Sequence, residues 1–192
     1  MAKTKINSSK GNGWKNFLDF FKNKNNQKIF GFLFILLSLY FFISFTSFFF
    51  NFKEDFSVII NNSWFSVLTD SDIQTHNSLG KFGALFSFLF VYSGFGISAF
   101  FIPGFLLFSG LQLLGYNIIS LKKYIREAIW GLIWAPVFIY HFFKSQIFAG
   151  SVGFNSTELL VSLLGSIGTT LLIIITFLIF ITLRFNITPQ KI

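Results

Sequence analysis

The sequence predicts an all-α integral membrane protein with four transmembrane helices and both termini in the cytoplasm. Three observations lead there. Hydrophobic residues make up 53% of the chain and charged residues 11%, whereas soluble domains carry about 25% charged residues. None of the 15 Lys+Arg falls in residues 29–52, 82–121 or 159–183, and each stretch exceeds the roughly 20 residues a helix needs to cross a bilayer. The basic residues gather instead in three clusters: seven in 3–28, three at Lys122, Lys123 and Arg126, and two at Arg184 and Lys191. The positive-inside bias assigns such clusters to the cytoplasm.

Residues 1–28 form a basic cytoplasmic segment, too long and polar to lead a cleavable signal peptide, so residues 29–50 are expected to remain as an anchor. Within the segment, Trp14, Phe17, Leu18 and Phe21 share one helical face. That spacing fits an interfacial helix and equally a basic tail without fixed structure. The first span, 29–50, measures about 33 Å as a helix. Residues 51–78 follow as a polar connection in which Glu54, Asp55, Asp70 and Asp72 outweigh Lys53, a balance suited to the outer face.

Residues 80–116 hold one charge, Lys81, and would extend about 55 Å if helical throughout. That is too long for one upright crossing and barely enough for two. Two crossings would place Lys122, Lys123 and Arg126 outside, against the charge bias. We therefore expect an outer-face helix at 79–92, flat or partly re-entrant, a break near Gly94 and Gly96, and a second span at 96–116 kinked at Pro103.

The third span, 126–145, has 16 uncharged residues between Glu127 and Lys144. At about 24 Å it is short, so Arg126 and Lys144 must snorkel from its ends. Trp130 and Trp134 mark the inner interface, and Pro136 is expected to kink the helix. An outer loop at 145–157 and a short outer-face helix precede the fourth span, 163–184, which ends at Arg184. Residues 185–192 begin a cytoplasmic linker. This arrangement puts 12 Lys+Arg inside and three outside (Lys53, Lys81, Lys144).

Little in the chain suggests chemistry. Cys is absent and the two histidines, His76 and His141, have no partner at ligand spacing, so no zinc site is expected. No acid lies inside a predicted span, where ion-coupled transporters usually place one, and no phosphate-binding loop is present. Gln112 reads as a helix–helix hydrogen bond. We expect no catalytic residue, no cofactor and no metal. The net charge of +8 fits anionic lipid headgroups flanking the spans better than nucleic acid.

Small residues are more informative, because they let helix backbones approach closely in lipid. Ser162, Gly165, Ser166 and Thr169 share one face of the fourth span, with Gly168 beside them. Gly80, Gly83, Ala84 and Ser87 repeat that spacing before the second. Both sets are expected to pack helices, within one protomer or between protomers.

The run Asn77-Ser78-Leu79-Gly80-Lys81-Phe82-Gly83-Ala84, then Phe95-Gly96-Ile97-Ser98-Ala99-Phe100-Phe101-Ile102-Pro103, then Gly110-Leu111 resembles the membrane domain of the FtsK/SpoIIIE DNA translocases. The ending, Gly165 to Thr169 and Arg184-Phe185-Asn186-Ile187-Thr188-Pro189, is similar to the Bacteroidota branch of that family. The resemblance implies a four-span anchor in the bacterial inner membrane, at the division septum, for a cytosolic hexameric ATPase. It implies a homo-oligomer, a hexamer, that also contacts divisome membrane proteins. DNA and ATP would be engaged only through the motor, whose residues do not occur in this sequence, so this chain is not expected to be an enzyme. The alternative reading is a small oligomeric channel or carrier.

Overall fold

The computed structural model describes Phe20 and residues 22–185. The face formed by Trp14, Phe17, Leu18 and Phe21, and the linker from 186 onward, lie outside the described residues. Among those described, every regular element is helical.

Helix α1 spans Lys24–Phe50 and begins five residues before the apolar run, because Asn23 caps it by accepting from the Asn25 N–H. Extending a helix already nucleated costs little. The expected polar connection is instead partly helical: α2 spans Phe52–Asn61 and α3 Trp64–Thr69. Glu54 and Asp55 occupy the first turn of α2, where the helix dipole favours negative charge. Ser63 caps α3 by accepting from Ser66 N–H at 3.1 Å.

The long apolar run is a single bent unit. Helix α4, Gly80–Ser87, passes into a π-helical stretch, Phe88–Phe95, then a 3-10 turn, Gly96–Phe100, then α5, Phe101–Leu113. Its backbone leaves helical geometry at Gly94 (φ −100°, ψ −117°) and at Gly96 (φ 60°, ψ −136°). The bend thus belongs to the glycines. Pro103 is the third residue of α5, where the missing donor has no helical partner to lose, so it opens the helix. The end of α5 is fixed by reverse bonds from Tyr116 N–H to Leu111 O and Gly115 N–H to Gln112 O, three residues earlier than expected.

Helix α6, Leu121–Phe143, runs through Pro136 as one helix and stops at Lys144, which adopts a left-handed conformation. Helix α7, Gln146–Phe185, is divided by non-helical backbone at Gly150 and Gly165. The expected outer loop at 145–157 is therefore helical from Gln146. The small-residue face expected across Ser162, Gly165, Ser166 and Thr169 is cut in two at Gly165.

Three helical stretches are long and apolar enough to cross a membrane: Lys24–Phe50, Gly80–Leu113 and Gln146–Phe185. Helix α6 is more polar, with Lys122, Lys123, Arg126 and Glu127 in its first two turns. The main pairings are α1 with α5 and α6 with α7, and the bent stretch 88–100 packs on α7 to join the pairs. The buried core lies where α1, α2, α3 and α4 converge, around Phe45, Phe48, Val67, Ala84 and Val91. Elsewhere large apolar side chains point outward, as with Ile133, Leu163 and Ile167.

Candidate functional site: the helix junctions and the polar cap

Each pair of helices meets where a small residue removes a side chain. On α5, a Cβ at Gly110 would fall 2.7 Å from Gly31 O of α1, and one level further Ser38 Oγ donates to Pro103 O at 2.7 Å. The Tyr124 hydroxyl of α6 donates to Phe101 O at 3.0 Å, with its phenol against Gly104 and the Phe101 ring over Gly131. Gly153 lies against the Pro136 carbonyl, and Thr157 Oγ1 donates to Val137 O at 3.3 Å.

The tightest approach is between the two broken helices. A Cβ on Gly96 would overlap the Phe148 carbonyl and stand 2.6 Å from Ala149 C; one on Gly150 would stand 2.5 Å from Gly96 N. Both residues also have positive φ, 60° and 68°, which side chains rarely tolerate. The π-helical stretch explains the polar contact alongside. Gly96 N–H reaches back to Val91 O, which leaves the Tyr92 carbonyl to accept from Ser151 Oγ at 3.1 Å. Irregular backbone inside an apolar bundle survives when protein groups satisfy it in this way.

A polar cap forms where α1 meets α4 and the 70–79 connection. Ser44 Oγ donates to Gly83 O at 2.8 Å and lies 2.7 Å from Ser87 Oγ. Asn77 Nδ2 donates to Ser44 O at 3.0 Å, and Asn77 Oδ1 accepts from Leu79 N–H at 3.1 Å. Ser78 N–H donates to Ser47 Oγ at 2.8 Å. Asp55 is fully buried; its Oδ1 accepts from His76 N–H at 2.6 Å, while Oδ2 has no partner. Burial pushes the Asp55 carboxyl above the usual carboxylate range, against the pull of the His76 and Asn77 backbone N–H groups.

At the opposite end, Glu127 Oε1 accepts from Arg184 Nε at 2.8 Å and from Arg126 Nη2 at 3.0 Å, tying α6 to the end of α7. Trp130 stacks on Phe180 at 3.8 Å and on Trp134 at 4.8 Å. The Trp134 indole N–H donates to Ile173 O and Thr176 Oγ1. His141 Nε2 pairs with Thr170 Oγ1 at 2.8 Å.

Of the residues singled out in the sequence, Gly83, Ala84 and Gly96 pack inside the protomer. Gly80 starts α4 at φ 65°, with open space where a Cβ would stand. Thr169 is buried and bonds back to Gly165 O, but Ser162, Gly165 and Ser166 are exposed, and Gly168 meets only Leu164. Lys122 and Lys123 are exposed, and Gln112 faces outward too. Sequence reasoning missed Gly31, Gly104, Gly131, Gly150 and Gly153, and the cap serines Ser44 and Ser47. The seven-residue step from Gly31 to Ser38, and the small run 149–153, were the available signals. Among the described residues, no group of three or more His, Asp or Glu is placed to hold a metal.

Long apolar helices, apolar side chains turned outward and a break at Gly96 whose freed Tyr92 carbonyl is taken up by Ser151 define a helical integral membrane protein whose site is built for packing. No curated protein and no solved structure gives a significant match. The family described as the 4TM region of DNA translocase FtsK/SpoIIIE matches residues 23–192. The chain belongs to that family. The match is to the membrane region of the translocase, not to its motor.

Proposed function

We propose that this domain anchors and assembles a DNA translocase of cell division and chromosome segregation. The family match over residues 23–192 carries the reading. In it the bundle crosses the inner membrane four times, through α1, the bent unit ending in α5, α6, and the last section of α7, with both termini cytoplasmic. α6 supplies the third crossing despite its charged start, since Arg126 snorkels and Glu127 is paired with two arginines. The cap of α2, α3 and the 70–79 connection then faces outward, available to divisome membrane proteins.

The exposed face around Ser162, Gly165, Ser166 and Ile167 is the surface by which protomers associate, up to the hexamer of the translocase family. Lipid supplies no hydrophobic drive between helices, so small residues set such contacts. The test is a fluorescent fusion of the full chain in dividing cells, with cross-linking to read assembly. Gly165→Leu with Gly168→Leu is expected to abolish cross-linked species and disperse the septal signal. Unchanged assembly and placement would remove this face from the account.

A further inference from the structure

We propose that the groove between α6 and the last section of α7 is a binding site for one anionic phospholipid. The groove encloses about 380 Å³. Its walls are Ile129, Ile133 and Val137 on one side and Leu172 and Ile173 on the other, with Leu160 among its lining and Arg126 the one charged residue. The polar groups in it are already satisfied. Thr176 Oγ1 donates to Leu172 O at 2.8 Å and accepts from the Trp134 indole at 3.2 Å. What remains facing the groove is hydrocarbon, and Ile133 is 64% exposed and Ile129 54%.

Length and charge select the occupant. From Arg126 to Val137 a helix rises about 16 Å, close to half of the roughly 30 Å hydrocarbon thickness. The groove is therefore one leaflet deep, which suits an acyl chain; a partner helix would need a track across the whole bilayer. At one end stands Arg126, its side chain 66% exposed, with Lys122 and Lys123 exposed one turn before it. Glu127 neutralises only one charge of the Arg126–Arg184 pair. A phosphate at the end of an acyl chain in the groove would meet that surplus. Trp130, stacked between Trp134 and Phe180, presents a rigid wall that loses little freedom on binding. The inference rests on α6 and α7 lying in lipid and is independent of which side Arg126 faces, so it can fail while the anchoring role stands.

The test is native mass spectrometry of the full chain released from mixed phosphatidylglycerol and phosphatidylcholine, with circular dichroism to confirm folding of each variant. The wild type is expected to retain one phosphatidylglycerol in preference to phosphatidylcholine. Arg126→Gln should weaken that retention roughly fivefold, the worth of one cation near the headgroups. Ile133→Trp, at an exposed position, should fill the groove and abolish retention while leaving every charge in place. Equal retention of the two lipids, or a preference that survives Ile133→Trp, would overturn the site. A change of oligomeric state on Ile133→Trp would overturn it too, by giving the groove to a second protomer.

Discussion

Replacing Gly96 by Ala probes the junction of the two broken helices most sharply. Two costs arise. The backbone angles, φ 60° and ψ −136°, lie where a side chain costs about 1–3 kcal/mol. The added methyl would also overlap the Phe148 carbonyl and crowd Ala149, both backbone groups that can yield only by separating the two helices. Overpacking of that kind adds about 1–3 kcal/mol. Gly165 supplies the control, because its φ of 70° carries the first cost but nothing lies within 4 Å of its Cβ position. Gly96→Ala should therefore cost about 2 kcal/mol more than Gly165→Ala, and at about 2–4 °C per kcal/mol lower the Tm by roughly 4–8 °C more. Thermal unfolding of the purified protein, followed by tryptophan fluorescence, reads the difference. Equal shifts for the two variants would refute the close approach.

The cap yields two further expectations. Asp55 holds its proton above the value of 3.8 for a free carboxyl, so the folded chain binds protons that the unfolded chain has released. Stability then falls as pH rises from about 3.8 through the folded-state value, and levels off above it. Asp55→Asn keeps an acceptor for the His76 N–H and removes the titration. The variant should be at least as stable as wild type at neutral pH, and its advantage should shrink toward pH 4; an unfolding series that shows the reverse trend contradicts the buried carboxyl. Asn77→Ala removes the side-chain bond that ties 77–79 to Ser44 O and leaves the half-buried Leu79 N–H without its acceptor, and should cost about 2 kcal/mol. Asn62→Ala, which loses only a bond to Val58 O within its own helix turn, should cost less than about 0.5 kcal/mol. Equal Tm losses for these two would discount the cap network.

The helical class and the long apolar stretches were legible because the bilayer imposes a length and excludes charge, two constraints visible in one dimension. The break near Gly94 and Gly96 could be read for the same reason: 80–116 is too long to be one straight helix. What the sequence hid is pairing. Gly150 sits in a small, polar-flanked stretch that reads as a loop, and only its approach to Gly96 shows why it is glycine. Gly165 reads as a packing residue inside a helix; its positive φ, invisible in periodicity, makes it a break. Asp55 reads as one of several outer-face acids, yet the fold of 70–79 over α2 buries it. Ser44 and Ser47 interrupt an apolar run, and only the fold of 77–83 against α1 shows that they hold the cap. Glu127 gains its role only when α7 returns Arg184 to it.

Four crossings with both ends in the cytoplasm is the claim on which the anchoring role rests, and α6 is its least apolar crossing. The chain has no Cys, so single cysteines report without background. Ser71→Cys, Lys123→Cys and Ser145→Cys, probed in intact cells with a membrane-impermeant maleimide, test the topology directly. Positions 71 and 145 should label from outside, and 123 only after permeabilisation. Labelling of 123 and 145 from the same side would show that α6 does not cross, and would contradict the account.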